Sequence, residues 1–326
     1  MNYKPLIERI LNKHICDINA YVKLIDKISF ILYNYSVKNE KRFIMDLCNL
    51  SVIRELMSDA GITFRKEFGQ NFLTNRIIPE DIADNCTDNQ ESMILEIGPG
   101  IGCLTQELAL RYKKVVAVEI DRGLIPILGR TMAEYDNVTV INDDIMKVDL
   151  QALVDEYSEG MPVAVCANLP YYITTPILMR LLESGVKFSS ITIMIQNEVA
   201  SRLVAKPGSS DYGAITAVLG YYGEAKKLFK VSAGCFVPAP KVDSAVVRID
   251  LYKEPKYTPK NEKLFRDLIK AAFEMRRKTL QNAVCAKLPY SKDTVLEAIR
   301  AIGHPDTVRG ERLSTEDFVK LADALQ

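Results

Sequence analysis

The feature that most constrains this chain is an alternation, between residues 93 and 195, of short apolar runs with helical stretches. The runs are Met93 to Ile97, Val115 to Glu119, Val138 to Ile141, Val163 to Ala167 and Ile191 to Ile195. Each is too short for a helix and, rich in β-branched residues, suits a strand buried on both faces. Strands of that kind joined by helices read as βαβ units, so the expected fold is α/β: a mostly parallel sheet with helices on both faces. Beyond residue 211 the spacing predicts a helical run to Tyr222, a Lys-rich strand from Lys226 to Val231, and a strand from Val242 to Leu251 near the sheet edge.

A Pro- and Lys-rich stretch, Glu254 to Lys260, marks the end of this domain, which spans residues 45–255. A small all-helical C-terminal domain, residues 256–326, comes next. Its expected helices are Glu262 to Val284, Ser291 to Ile302 and Ser314 to Leu325, the last opened by a capping box from Ser314 to Asp317. Residues 1–44 carry helical apolar spacing (Leu6, Ile7, Ile10, Leu11, then Val22, Leu24, Ile25) and read as an N-terminal helical extension with no assigned chemistry. Met45 is a second plausible start, after which Ile53, Leu56 and Met57 sit at helical spacing.

Charge narrows the partners. Lys plus Arg and Asp plus Glu both number 42, so the whole molecule exerts no long-range pull on a polyanion, and any nucleic acid must meet a local basic face. Seven cysteines without a CxxC pair suit free thiols in a reducing cytoplasm. No stretch approaches the length of uncharged apolar sequence a membrane helix needs, since Lys23, Asp26 and Lys27 interrupt the most apolar part of the N-terminus. The reading is a cytoplasmic protein without a membrane partner, and a monomer.

The first chemical constellation is Glu96-Ile97-Gly98-Pro99-Gly100-Ile101-Gly102, directly after the first strand and opening a helix. Glycines there let the backbone turn sharply and approach a ligand at the carboxyl edge of the sheet. A nicotinamide dinucleotide is the rival ligand, but its fingerprint wants a third small residue at position 103, where this chain has Cys103. GxGxG preceded by an acid looks instead like the loop that holds S-adenosyl-L-methionine. Glu119, ending the second strand, is placed to accept from both ribose hydroxyls, and Asp144, after the third, from the cofactor's adenine amino group. Gly98 and Gly100 contribute main-chain approach.

The second is Asn168-Leu169-Pro170-Tyr171, immediately after the fourth strand. An adenine N6 is a poor nucleophile because its lone pair is delocalised into the ring, and it carries two hydrogens to be turned away from an incoming methyl. The Asn168 side-chain oxygen and the Leu169 carbonyl can accept one each, freeing the lone pair. Pro170 stiffens the turn, and Tyr171 offers a flat face to an extruded base. No metal is needed.

With these motifs the chain resembles the small-subunit (16S) ribosomal RNA adenine N6,N6-dimethyltransferases, the bacterial KsgA family, from about Phe64 onward. The further matching segments are Lys66 to Leu73, Gln196 to Leu203, and Phe236 to Val246. The resemblance implies a Rossmann-like methyltransferase fold and a cofactor lid in which Asn71 and Leu73 contact S-adenosyl-L-methionine. It also implies Asn168 shared between cofactor and base, and Phe236 across the target adenine from Tyr171. The helix bearing Arg276, Arg277 and Lys278 would meet RNA phosphates. The implied activity is dimethylation of two adjacent adenosines in the 3′-terminal hairpin of 16S rRNA on an assembling 30S subunit, a step of rRNA processing in ribosome biogenesis. Recognition of a preformed particle by shape would explain the neutral net charge. Two other readings stay open: a large-subunit rRNA adenine methyltransferase of the macrolide-resistance type, and a non-catalytic RNA-binding assembly factor.

Overall fold

The structure, a computed structural model, describes residues 45–62 and 70–326. The N-terminal extension and the Lys66 to Gly69 part of the lid motif lie outside the described residues. Asp46–Gln326 form one compact unit. In chain order its elements are α1 (Leu50–Asp59), β1 (Phe72–Leu73), α2 (Ile77–Asp84), β2 (Met93–Ile97), α3 (Cys103–Ala109), β3 (Lys114–Glu119), α4 (Ile125–Thr131), β4 (Val138–Asn142), α5 (Leu150–Tyr157), β5 (Val163–Asn168), α6 (Thr174–Glu183), β6 (Phe188–Gln196), α7 (Asn197–Leu203), α8 (Ala214–Tyr222), β7 (Gly223–Val231), β8 (Phe236–Val237) and β9 (Ser244–Leu251), then α9 (Glu262–Glu274), α10 (Leu280–Lys287), α11 (Lys292–Ala301) and α12 (Thr315–Ala324).

Seven strands form one sheet in the order β4-β3-β2-β5-β6-β9-β7. β2 to β6 run parallel, while β9 enters antiparallel to β6, with β7 antiparallel beyond it at the edge. The βαβ rhythm thus forms the expected α/β sheet, and β9 lies one strand in from the edge. All five residues of β2 are buried, as a central parallel strand covered on both faces requires. Alternate residues feed opposite cores: Leu95, Ile97, Val165 and Leu178 pack on one face, and Ile94, Leu108, Ala164 and Val246 on the other.

A separate helical core joins Tyr212, Ala217 and Val218 to Phe265, Leu268, Val284, Ile299 and Phe318. The C-terminal helices therefore pack on α8 and the turn before it. One expectation is corrected by this domain. The run from Glu262 to Val284 is two helices, because α9 ends at Glu274 and Thr279 caps α10 by accepting from the Asn282 amide. The Leu280 amide then donates to Val308 O at 2.7 Å. Arg276, Arg277 and Lys278 lie on the turn between helices.

β2 also carries an acid into the interior. Glu96 is 1% exposed, on the β2 face covered by α3, and its Oε2 has no hydrogen-bond partner among the described residues. Burial pushes its carboxyl up to about 8, with nearby Glu119 adding to the rise and Thr105 opposing it. The group is therefore largely protonated at neutral pH.

This packing sets two expected outcomes. The capping box is present, with Ser314 Oγ accepting from the Asp317 amide and Asp317 Oδ2 from the Ser314 amide at 2.9 Å. Ser314→Ala should cost about 1 kcal/mol in urea unfolding. Between the ordinary 4.5 and about 8, the folded chain keeps a proton on Glu96 that the unfolded chain releases, so stability falls as pH rises through that window. Glu96→Gln should shrink the decline in urea midpoint between pH 5 and pH 8, measured without cofactor; an identical decline in both proteins would contradict a protonated Glu96.

Candidate active site

Strand register assembles the site. Ile97, the last residue of β2, opposes Val118 of β3 on one side and Ala167 of β5 on the other. Glu119 and Asn168, each one residue further, therefore flank the glycine loop that leaves β2. This is the point where strand order reverses, at the carboxyl edge where ligands of open α/β sheets bind.

The loop's path is set by its glycines. Gly98, Gly100 and Gly102 have φ of 68°, 63° and 97°, a region side chains disfavour. Around Gly98 nothing lies within 4 Å of where a Cβ would stand, so the backbone faces open space; at Gly102 a Cβ would come 2.7 Å from Met132 Cε, so that glycine serves the close packing of α3 on α4.

Glu119 is 5% exposed. Its Oε2 accepts from the Gly100 amide at 3.0 Å and its Oε1 from the Asp121 amide at 2.8 Å, which fix the carboxylate against the loop. Burial raises its pKa and these amides oppose the rise. Each oxygen retains acceptor capacity for a ligand hydroxyl. Asp144 uses Oδ1 to accept from the Met146 amide at 2.9 Å, and Lys147 Nζ stands 3.6 Å from Oδ2.

At the end of β5 the Leu169 amide donates to Met194 O at 3.1 Å. Neither the Leu169 carbonyl nor the Asn168 side-chain amide has a hydrogen-bond partner among the described residues. Pro170 O is occupied, accepting from the Ile173 amide at 3.2 Å and Thr174 Oγ1 at 3.1 Å, which sets the turn. Tyr171 is half-buried, its hydroxyl 2.7 Å from Ser244 Oγ on β9. Phe236 is 3% exposed and belongs to a core cluster, yet it lines the same cavity as Tyr171.

One cavity gathers the expected positions: Asn71, Leu73, Gly98, Gly100, Glu119, Asp144, Asn168, Leu169, Pro170, Tyr171 and Phe236 all line it. Arg276, Arg277 and Lys278 do not. Arg276 is tied down, donating through Nη2 to Ser210 O at 3.2 Å and Tyr212 O at 3.1 Å and lying 3.4 Å from Glu311 Oε2; Arg277 and Lys278 are exposed.

One pairing and the roles of two lining residues, Ile120 and Gln70, escaped sequence reasoning. Leu73 pairs with Phe236 across β1 and β8, so the segment expected to form a lid and the loop bearing Phe236 form one two-stranded sheet. Ile120 is 49% exposed in the cavity wall beside Glu119, an apolar surface for a flat ring. Its position directly after the strand-end acid was the available signal. Gln70 Nε2 donates to Asp121 Oδ2 at 2.9 Å, anchoring the start of the lid strand to the Glu119 turn. Open space at Gly98, the apolar flank at Ile120, the acceptors of Glu119 and Asp144, and the buried carboxyl of Glu96 together fit S-adenosyl-L-methionine, with its apolar-faced nucleoside and charged amino-acid end.

The model of the family described as ribosomal RNA adenine dimethylase matches residues 61–326. A protein named ribosomal RNA small subunit methyltransferase A from Clostridium acetobutylicum is 45% identical over 272 residues, covering 83% of this chain and 97% of its own. One of the same name from Alkaliphilus metalliredigens is 49% identical over 259 residues, covering 79% and 90%. Among solved structures, a dimethyladenosine transferase from Plasmodium falciparum superposes with a TM-score of 0.65 at 26% identity, covering 76% of this chain and 95% of that one. The 23S rRNA methyltransferase ErmE superposes at 0.61 and 27%, covering 78% and 99%. The chain belongs to the ribosomal RNA adenine dimethylase family and is an S-adenosyl-L-methionine-dependent enzyme that methylates adenine in rRNA.

Proposed function

We propose that the enzyme dimethylates N6 of two adjacent adenosines in the 3′-terminal hairpin of small-subunit rRNA, and that Asn168 and Leu169 hold the reacting amine. The observation that carries this is the pair of unengaged acceptors at the end of β5: Asn168 and Leu169 line one cavity, and neither the Asn168 side chain nor the Leu169 carbonyl has a partner among the described residues. Each accepts one N6 hydrogen, which turns the nitrogen's lone pair out of conjugation and orients it. Leu169 is 1% exposed and its amide is bonded to Met194, so its carbonyl is a fixed acceptor that needs little reorganisation during reaction. Tyr171 and Phe236 bound the base on its two faces, and the Ser244 bond keeps the Tyr171 ring in place. Pro170 holds the turn. S-adenosyl-L-methionine, when bound, supplies an electrophilic methyl on a sulfonium. For that cofactor Glu119 would accept from the ribose and Asp144 from the adenine amino group, and Gly98, Gly100, Asn71, Leu73 and Asn168 would contact the remainder.

The small-subunit target is supported by the name that the relatives at 45% and 49% identity carry. We read residues 45–255 as the catalytic domain and 256–326 as an RNA-contacting one, with Arg277 and Lys278 on phosphates and Arg276 bracing the turn that presents them. The substrate is an assembling 30S particle rather than naked RNA, consistent with equal counts of acidic and basic residues. The enzyme acts as a cytoplasmic monomer; among the described residues no helix is long and apolar enough to cross a membrane.

Asn168→Ala should lower kcat on unmethylated small subunits by about a hundredfold or more, with cofactor binding largely retained by calorimetry. Wild-type turnover in that variant would remove the assignment. Glu119→Ala, which deletes the ribose acceptor and the anchor of the Gly100 amide, should weaken cofactor binding about tenfold or more; an unaltered dissociation constant would contradict it.

A further inference from the structure

One sequence motif stands outside the chemistry so far, Gln196-Asn197-Glu198 at the carboxyl end of β6. Register sets it beside the site. Asn168 on β5 opposes Met194 on β6, and Gln196 opposes Ser244, the first residue of β9 and the partner of the Tyr171 hydroxyl. The end of β6 and the turn before β9 therefore open on the same sheet edge as Asn168, one and two strands away. Between them runs a groove lined by Gln196, Asn197, Glu198, Lys241, Val242 and Asp243.

The groove, taken with the wall of the catalytic cavity beside it, has the chemistry of a nucleotide site. Val242 is 47% exposed, and Tyr172, in the wall of the catalytic cavity next to Tyr171, is 64% exposed. Both are large apolar groups left in water. The acids of the groove are already matched, Glu198 with Arg202 and Asp243 with Lys230. Lys241 has no ion pair among the described residues. Asn197 Oδ1 accepts from Lys227 Nζ at 2.6 Å, which leaves its amide N–H groups as donors. An aromatic face, a branched aliphatic contact, amide donors and an uncompensated ammonium match a base face, a base edge and a phosphate.

A base extruded into a cavity leaves its strand neighbours at the mouth. We infer that this groove and the adjoining wall of the catalytic cavity together hold the nucleotide adjoining the target adenosine on the same RNA strand, with Tyr172 of the cavity wall and Val242 of the groove against its base and Lys241 at its phosphate. The inference rests on the reading that an rRNA adenine enters the cavity beside Asn168. It gives the Gln196 to Glu198 segment a role in substrate placement separate from methyl transfer.

The test is affinity for unmethylated small ribosomal subunits by filter retention without cofactor, so that it does not depend on turnover. Tyr172→Ala should weaken binding about tenfold, and Tyr172→Phe, which keeps the ring, should bind within about twofold of wild type. Lys241→Ala should lower the slope of log affinity against log salt by about one. Circular dichroism confirms that each variant is folded. Wild-type affinity for Tyr172→Ala together with a wild-type salt slope for Lys241→Ala overturns the inference. If these affinities fall as expected while Asn168→Ala keeps its kcat, the roles given to Asn168 and Leu169 fail and the groove stands.

Discussion

The register of β2 between β3 and β5 is the constraint on which the remaining geometry depends. Because Ile97 opposes Val118 and Ala167, the next residues on the outer strands, Glu119 and Asn168, emerge at the same height on either side of the glycine loop. A slip of one residue in either ladder would turn an apolar side chain toward the cavity and bury the functional one on the opposite face. The buried alternation prevents that slip: Ile94 and Val115 serve one core while Leu95 and Val116 serve the other. Precision at the site is thus a by-product of burying strands on both faces.

That precision has an electrostatic cost, visible in two carboxyl groups. Glu96 and Glu119 are both nearly inaccessible, burial raises the pKa of each, and Glu119 adds to the rise at Glu96. The chain resolves the conflict unequally. Glu119 receives two main-chain amides, which favour its anion, whereas Glu96 Oε2 receives no donor among the described residues and its carboxyl holds a proton. Both line the cavity, one held by main-chain donors and the other a buried carboxyl without them at Oε2. The amide of Gly100 opposes the rise at Glu119, so the loop that leaves open space in the cavity also favours the anion of the acid beside it.

Much of this was legible in residues 93 to 195, because periodic burial and local chemistry coincide there. The strands announce themselves by apolar runs, the glycine loop by its spacing, and Glu119 and Asn168 by ending strands. The illegible parts depend on contacts far apart in sequence. β1 and β8 are two residues each, too short for any periodicity, and exist only because Phe72 and Leu73 find Val237 and Phe236. The break after Glu274 was hidden because the residues around it are good helix formers, while the Leu280 amide bond to Val308 O joins segments far apart in sequence. Arg276 read as one of three phosphate contacts, while its bonds to Ser210 and Tyr212 are invisible in a basic run. Nor does an acid in an apolar strand say whether it is charged; only the number of donors around Glu96 decides.

The short β1 and β8 pairing has the further effect of making one structural unit out of two segments distant in sequence that line the same cavity. The Thr74 amide donates to Cys235 O at 2.8 Å, continuing the pairing on one side of Phe236. At the other end of that loop, Asp243 accepts from the Ala233 amide at 3.0 Å and pairs with Lys230 at 2.7 Å. The loop bearing Phe236 is consequently held by strand bonds to β1 and, through the Ala233 amide, by the Asp243 carboxylate, and Phe236 itself is nearly fully buried. Tyr171 is fixed in the same manner through Ser244, the residue after Asp243. Both rings proposed to bound the target base therefore trace back to the start of β9, an antiparallel strand inserted beside β6: in a sheet otherwise parallel from β2 to β6, the added strand and the loop before it supply the second wall of the cavity.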